Sequence, residues 1–307
     1  MMSDKPNIGQ MAKDVPIVQD HKRSWRDNHY VYPVISRRAG GLSIGINLNP
    51  DKACTFDCIY CEVNRRIAPP QRKVELPRLT DELNTMLDLV VSGEIWQDPY
   101  LSAVPTELRR LNDIAFSGDG EPTAFRNFDL AVEIVADARA AHGLESAKIV
   151  VISNATCFHT DTFRRAIPLL QETNGEVWAK LDAGTAEHFR MINKSQADFE
   201  VVLQNIEWLA VMMPITIQTM FLRIAGETPS QAEIDAYIGR LRKILEVGGQ
   251  IQQIQAYTVA RPPADAIATA LSDAELDCIV ARIQSAVAPI PVKTYYGADV
   301  PAQEELI

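Results

Sequence analysis

The sequence predicts an α/β fold, a partial (β/α)6 TIM-like barrel with a short N-terminal extension and a C-terminal tail. Short apolar, β-branched runs alternate with longer stretches of helical periodicity, and no long linker interrupts this alternation. The chain has 307 residues, of which 47% are hydrophobic, so it can bury a substantial core. These observations favour one domain built from repeated strand and helix units.

Six apolar runs are predicted to be strands. They cover residues 42–48, 113–117, 147–153, 177–182, 215–222 and 251–258. Strands that alternate with helices favour a parallel sheet with right-handed crossovers. Because a closed barrel of this type needs eight strand and helix units, six units predict an open or partial barrel.

Six helices are predicted between and after these strands. They cover residues 79–92, 127–142, 160–173, 199–212, 230–247 and 273–286. In the second helix, Phe128, Ala131 and Val135 fall on one face, as the helical period requires. Asn127 suits its N-cap, and Gly143 follows its end.

The predicted boundaries are an extension over residues 1–41, a barrel over 42–290, and a late edge strand with a tail over 291–307. In parallel α/β folds the chemistry lies at the carboxyl ends of the strands, in the loops that follow them. The loop after the first predicted strand therefore lies where functional sites occur in such folds.

The net charge of −10 disfavours wide, non-specific contact with nucleic acid, which needs a basic surface. The start of the chain is polar, and the sequence has no apolar span of about 18 residues, so we expect a soluble, cytoplasmic protein with no membrane partner. Positive residues nevertheless gather around the first loop, and they form either a solvated rim or a surface for an anionic substrate. They are Lys22, Arg23, Arg26, Arg37, Arg38, Arg65, Arg66, Arg72 and Lys73.

Three of the five cysteines, Cys54, Cys58 and Cys61, lie in that first loop with a CxxxCxxC spacing. In a reducing compartment such a cluster indicates metal binding or redox chemistry, and thiolate sulfur is a preferred ligand of iron–sulfur clusters and zinc. Zinc would need a fourth ligand, which the neighbouring sequence does not offer. Three thiolates around a four-iron cluster leave one iron open. We interpret Cys157 and Cys278 as small, semi-buried hydrophobes.

The stretch CTFDCIYC, with Tyr60 before the third cysteine, resembles the signature of the radical S-adenosylmethionine (radical SAM) enzymes. The resemblance implies that Cys54, Cys58 and Cys61 hold a catalytic [4Fe-4S] cluster and that Tyr60 lies at the cofactor site. It implies that S-adenosyl-L-methionine binds the open iron and is cleaved to a 5′-deoxyadenosyl radical, which abstracts hydrogen from the substrate. A reductant such as flavodoxin or ferredoxin would supply the electron.

A second stretch, SGDGEPT, follows the second predicted strand. Its two glycines permit close backbone approach and positive φ angles, and the proline stiffens the exit. The stretch resembles the Gly-Gly-Glu-Pro motif of the family, with Asp119 in place of the first glycine. The resemblance implies that Gly118, Gly120, Glu121 and Pro122 bind the amino group of the cofactor.

Polar residues also end the next two strands. Asn154 can hydrogen-bond ribose hydroxyls, as polar residues at this place do in the family, or it can cap a turn. In the fourth strand Trp178, Lys180 and Asp182 share a face. The resemblance assigns Lys180 to the carboxylate of the cofactor, with Asp182 beside it, and the alternative is a structural Lys180–Asp182 pair.

The stretches SRRAGGLSIGIN, GDGEPT and KLDAGTAEHFRMIN resemble a branch of the family that is related to the wybutosine-synthesis enzymes, but the chain lacks the cysteines for a second cluster. We therefore expect a radical SAM enzyme that acts on an unidentified small-molecule or residue substrate. The alternatives are transfer RNA base modification of the wybutosine type and a metal-binding protein without catalysis. Candidate substrate contacts lie on the sixth predicted strand or directly after the last two predicted strands: Arg223, Gln253, Gln255, Tyr257 and Arg261.

Overall fold

The computed structural model describes residues 25–69, 71–261, 263 and 265–297. Ten strands form within these ranges. They are β1 (Val31–Ser36), β2 (Gly41–Ile46), β3 (Leu111–Phe116), β4 (Lys148–Ser153), β5 (Gly175–Lys180), β6 (Ile215–Met220), β7 (Leu222–Ile224), β8 (Ile251–Tyr257), β9 (Ala268–Ala270) and β10 (Val292–Tyr295).

Eight of these strands form one curved sheet in the order β1-β2-β3-β4-β5-β6-β8-β10. In this sheet the seven strands β2, β3, β4, β5, β6, β8 and β10 run parallel to one another, and β1 is antiparallel to β2. The short strands β7 and β9 pair separately. All six predicted strands are confirmed, and with them the partial barrel.

Seven α-helices accompany the sheet in the described residues. They are α1 (Leu76–Ser92), α2 (Phe128–Ala141), α3 (Asp161–Glu172), α4 (Ala186–Asn193), α5 (Phe199–Met212), α6 (Gln231–Glu246) and α7 (Asp273–Val287). Side-chain caps start several of them, as at Thr160 of α3, Ser230 of α6 and Ser272 of α7. The six predicted helices are confirmed. Among the described residues, no helix has the length and apolar character needed to cross a bilayer.

Strand β1, helix α4 and the short strands β7 and β9 lie outside the predicted set. Strand β1 falls within the predicted extension but is an edge strand of the main sheet, and Pro33, which lacks an N–H, is tolerated there because an edge strand has one unpaired side. Helix α4 has eight residues, which is too short for a clear helical period, and it begins at the cap Thr185.

The main core fills the space between the sheet and the helices. A run of buried rings, Phe116, Phe128, Phe163 and Phe158, crosses it with centroid separations of 5.3, 5.8 and 4.4 Å. The inner face of the barrel has a smaller cluster around Trp178, with Ala115, Val150 and Ile152. Cavity-lining residues occupy the same inner face toward the carboxyl ends of the strands.

The turn between β1 and β2, residues 37–40, reaches the opposite edge of the sheet. Arg37 Nη1 donates a hydrogen bond of 2.8 Å to the carbonyl of Tyr296, just beyond β10. The guanidinium carbon of Arg38 lies 5.2 Å from the ring centroid of Tyr257 on β8. This hairpin turn therefore spans the open side of the partial barrel.

The carboxylate of Glu82 fixes the start of β1 against α1. It is buried and accepts backbone N–H bonds from His29 and Tyr30, both 2.8 Å, and from Val31 at 3.2 Å. Arg78 donates a further bond of 2.8 Å from its Nε. One side chain thus satisfies three backbone donors that precede or begin the edge strand.

We predict that Glu82→Gln lowers the free energy of unfolding by about 2 kcal/mol, because the amide replaces an ionised acceptor and turns an NH2 group toward N–H donors. Urea unfolding measures the change. Glu133→Gln, at an exposed position of α2, is the matched control and should stay within about 0.5 kcal/mol of the parent. Equal effects in the two variants would contradict the anchoring role of Glu82.

Candidate functional site

A cavity of about 250 Å³ opens at the carboxyl ends of the parallel strands. Of the eleven residues predicted at the site, nine line this cavity: Cys54, Cys58, Tyr60, Cys61, Gly118, Gly120, Glu121, Asn154 and Lys180. The other two lie next to it. Pro122 begins a short 3-10 turn, and Asp182 is buried behind Tyr60.

Each cysteine sulfur in the loop receives an N–H group. Cys54 Sγ lies 3.5 Å from the backbone N of Phe56, and Cys61 Sγ lies 3.3 Å from Nη1 of Arg65. Cys58 Sγ lies 3.3 Å from Nδ2 of Asn193, at the end of α4. Such contacts stabilise negative charge on sulfur and tune the potential of a cluster that the sulfurs bind.

Burial raises the pKa of the Cys58 thiol to about 12 and also raises the pKa of Cys54. At neutral pH these two groups are therefore thiols in the protein alone. Binding of a metal removes the proton from a coordinating thiol, so metal uptake here would release protons.

The donor set fits a cluster with one open iron. Three cysteines line the cavity, and none of the described residues that line it is a histidine. In the ranges given above, no three His, Cys, Asp or Glu side chains are arranged to hold a single metal ion. The sulfurs of an iron–sulfur cluster bind separate irons and need not converge on one point.

Asp182 connects the cysteine loop to the barrel. Its carboxylate accepts hydrogen bonds from the hydroxyl of Tyr60, from Asn193 Nδ2 at 3.1 Å and from the backbone N of Met220 at 2.9 Å. Since Asn193 also touches Cys58, one buried carboxylate positions two parts of the site. Asp182 does not line the cavity, and its carboxylate contacts Tyr60 of the cysteine loop and Asn193.

The carboxylate of Glu121 holds the turn after β3 to the end of β4. Its Oε1 accepts bonds from Ser153 Oγ at 2.7 Å and from Thr123, through both Oγ1 at 2.6 Å and the backbone N at 3.0 Å. Its Oε2 accepts a single bond of 2.7 Å from the backbone N of Asn154. Because a carboxylate oxygen can accept more than one bond, Oε2 retains capacity for a ligand in the cavity.

Glycine is required at positions 118 and 120, because atoms of the loop that follows β2 lie too close to leave room for a side chain. A Cβ on Gly120 would lie 1.8 Å from the carbonyl oxygen of Ala53, next to the first cysteine, and one on Gly118 would lie 2.4 Å from Asn47 Oδ1. Neither glycine has a positive φ, so that part of the prediction is wrong. Asp119, which replaces the first motif glycine, bonds Asn47 through Oδ2 at 2.8 Å and through its backbone N at 3.2 Å.

Asn154 caps a turn, as the alternative interpretation proposed. Its Oδ1 accepts bonds from Thr156, at 3.1 Å from the backbone N and 2.7 Å from Oγ1. Its Nδ2 donates to Thr55 Oγ1 at 2.8 Å and lies 3.8 Å from Cys54 Sγ. The side chain therefore supports the cysteine loop while facing the cavity.

The ammonium group of Lys180 faces the cavity over the ring of Tyr60, 5.2 Å from its centroid. In the described part of the chain Lys180 makes no hydrogen bond or ion pair through Nζ, so the alternative Lys180–Asp182 pair is not formed. Burial lowers the pKa of Lys180, but Tyr257, Asp182 and Cys58 raise it, and the net shift is upward. Lys180 is therefore a charged group available to an anion.

Four arginines also line the cavity, namely Arg37, Arg38, Arg65 and Arg261. Arg65 does not belong to a solvated rim. Besides contacting Cys61 Sγ, it donates hydrogen bonds to the carbonyls of Lys52 at 3.2 Å and Asp119 at 3.5 Å, and it thereby links the cysteine loop to the turn after β3. Arg261 forms an ion pair of 2.7 Å with Glu62. Arg66, Arg72 and Lys73 are not among the lining residues, and Arg26 contacts Asp98 at 3.5 Å. Lys22 and Arg23 lie outside the described residues.

The candidate substrate contacts divide into two groups. Tyr257 and Arg261 line the cavity, whereas Gln253 and Gln255 do not. Arg223 on β7 is ion-paired with Glu275 outside the lining. Asn193 was missed from the sequence, because an asparagine near the end of a short helix gives no pattern that indicates contact with a cysteine.

Comparison with known sequences gives distant relatives, and no family model matches the chain. It is 24% identical over 249 residues to a GTPase Obg of Brachyspira hyodysenteriae, 27% over 167 residues to the UPF0026 protein MJ1312 of Methanocaldococcus jannaschii, and 22% over 232 residues to a UPF0026 protein of Helicobacter pylori. These matches cover 80%, 54% and 75% of the chain. The chain spans only 32%, 44% and 66% of the lengths of these relatives.

Two solved structures share the fold. A radical SAM methyltransferase from Sphaerobacter thermophilus has a TM-score of 0.60 at 12% identity, with 91% of this chain and 73% of that one covered. TYW1 with a lysine-pyruvate adduct bound has a TM-score of 0.51 at 16% identity, with 90% and 81% covered. At these identities the likeness shows the fold alone, and it is the fold of the enzymes whose motifs the sequence resembles.

We predict that Gly120→Ala destabilises the protein by about 1–3 kcal/mol, because the new methyl group overlaps the Ala53 carbonyl, a backbone group that cannot rotate aside as a flexible side chain can. Thermal unfolding measures the effect. Gly239→Ala is the control: it lies in α6 with nothing near its Cβ position and should gain up to about 1 kcal/mol from helix propensity. A Gly120→Ala variant as stable as the control would contradict the close packing described for this turn.

We predict that Asp182→Asn lowers the free energy of unfolding by about 2–3 kcal/mol and speeds the reaction of the cysteine-loop thiols with a maleimide, because its amide cannot accept all three bonds. Asp137→Asn, exposed on α2, should change neither quantity. Loss of stability with an unchanged thiol reaction rate would show that Asp182 does not position the cysteine loop.

Proposed function

We propose that the protein is a radical SAM enzyme in which Cys54, Cys58 and Cys61 hold a [4Fe-4S] cluster and S-adenosyl-L-methionine binds beside it. One observation carries the proposal: the three cysteines line a single cavity at the carboxyl ends of the strands together with Lys180, whose ammonium group has no hydrogen-bond or ion-pair partner among the described residues. The fold, which radical SAM enzymes share, supports it. The cluster would supply the electron for reductive cleavage of the cofactor.

The residues of this chain would bind and orient the cofactor. Lys180 offers a charged donor for the carboxylate of its methionine group, and Glu121 Oε2 offers an acceptor for the amino group. Gly118 and Gly120 let the turn lie against the cysteine loop, and Pro122 fixes the exit of this turn. Asn154 and Asp182 would act on the loop itself, through Thr55 and Tyr60.

The walls of the cavity would protect a reactive intermediate from water. The inner face of the barrel is filled below the cavity by the Trp178 cluster, and the hairpin turn spans the open side. A radical enzyme needs such a shielded space, since the cofactor performs the difficult chemistry and the protein excludes side reactions.

The reaction that we propose is hydrogen abstraction from a small-molecule or residue substrate, with flavodoxin or ferredoxin as the class of reductant. The similarity to TYW1 supports transfer RNA base modification as the second candidate. The net charge of −10 favours the first candidate over the second. GTP hydrolysis, suggested by the name of one relative, has no support in the sequence, which contains no Gly-Lys pair for a phosphate-binding loop.

Anaerobic purification with iron and sulfide analysis, followed by incubation with S-adenosylmethionine and dithionite, tests the proposal. We expect about four irons per chain and the formation of 5′-deoxyadenosine. Cys58→Ala should lose both. Cys278→Ala is the matched control, because Cys278 is exposed on α7 and not semi-buried as the sequence predicted. A protein that carries one zinc and forms no nucleoside would contradict the proposal. Steeply salt-dependent binding of transfer RNA would favour the second candidate.

A further inference from the structure

Arg38 differs from the other arginines that line the cavity. Arg37 donates to a carbonyl, Arg65 bonds the cysteine loop, and Arg261 is ion-paired. The guanidinium of Arg38 is half-buried and contacts the ring of Tyr257, but in the described ranges it makes no hydrogen bond and no ion pair. Its N–H groups are therefore available to a ligand.

A cation in a partly enclosed cavity loses hydration, and it is stabilised there only by a partner of opposite charge or by hydrogen bonds. The face of the Tyr257 ring supplies part of this stabilisation, and the edges of the Arg38 guanidinium remain open. A guanidinium edge presents paired N–H groups with the spacing of a carboxylate or phosphate. The site around Arg38 is therefore suited to an anionic group.

Arg38 lies on an element, the hairpin turn, that carries none of the residues that we assign to the cofactor. Those come from the loop after β2, the turn after β3, the end of β4 and Lys180 on β5. Arg38 contacts β8, and the cavity wall beside it includes Tyr295 on β10, which pairs with Tyr257. In sheet order β8 and β10 lie beyond β6, away from β2, β3 and β4, and the segment after β8 contacts the cysteine loop through the Arg261–Glu62 ion pair.

We propose that Arg38 binds an anionic group of the substrate, a carboxylate or a phosphate, while Lys180 binds the carboxylate of the cofactor. The second half of this statement rests on the proposed function. The substrate is then an acidic compound that lies between the cysteine loop and the hairpin turn, held at one end by Arg38. The hairpin turn that closes the barrel thus also determines which substrates bind.

Isothermal titration of the anaerobically purified protein with inorganic phosphate and with malonate tests the inference, at constant ionic strength set with chloride. We expect one of the two anions to bind, and the one that binds more tightly identifies the group as phosphate or carboxylate. Arg38→Met should weaken this binding about tenfold or more, because the paired N–H groups are lost. Arg38→Lys should have an intermediate effect, and Arg242→Met, at an exposed position of α6, should bind as the parent does.

Three results would overturn the inference: no binding of either anion, equal binding by the parent and Arg38→Met, or an equal loss in Arg242→Met. The anion should also still bind to protein saturated with S-adenosylhomocysteine, since Lys180 takes the carboxylate of that compound. Complete displacement would show that Arg38 belongs to the cofactor site. Formation of 5′-deoxyadenosine is measured in a separate assay. If the nucleoside forms but neither anion binds, this inference alone is overturned. If an anion binds but no nucleoside forms, the proposed function is overturned.

Discussion

The buried carboxylate of Asp182 is the interaction on which the site depends. Residues 47–75 connect β2 to α1 without a helix or strand among those that are described, so this loop cannot hold three cysteines in place by its own backbone. Asp182 fixes Tyr60 and Asn193 at once. The carbonyls of Ile192 and Asn193, the last two residues of α4, also accept backbone hydrogen bonds of 2.9 Å from the N–H groups of Ile59 and Asp57 in the loop. Through these contacts the sheet and α4 fix the position of a long segment that has no regular secondary structure.

The fold was largely predictable because its strands are buried on both faces and therefore read as continuous apolar runs. The edges were harder to predict. Strand β1 contains Pro33, which argues against a strand unless the strand lies at an edge, and edge position is a property of the whole sheet. The reach of the hairpin turn to Tyr296 is also invisible in the sequence, because the two partners are 259 positions apart.

The site was predictable where spacing carries the chemistry, as for Cys54, Cys58 and Cys61. It was less predictable where a polar residue has two possible partners. Lys180 and Asp182 were candidates for one ion pair, and the structure separates them because Tyr60, Asn193 and Met220 occupy the carboxylate. The charge of the cavity also differs from the charge of the whole protein. Cationic side chains line the cavity, although the net charge of the protein is −10. Composition describes the whole surface and not a concave part of it.

The contact between Arg37 and Tyr296 also bears on how the protein is made. The hairpin that closes the barrel leaves the ribosome early, whereas its partner beyond β10 is among the last described residues to be synthesised. Closure of the cavity must therefore wait until most of the chain has emerged, and contacts of such long sequence separation form slowly. During that interval the cavity is open on the side that the hairpin turn spans in the complete protein.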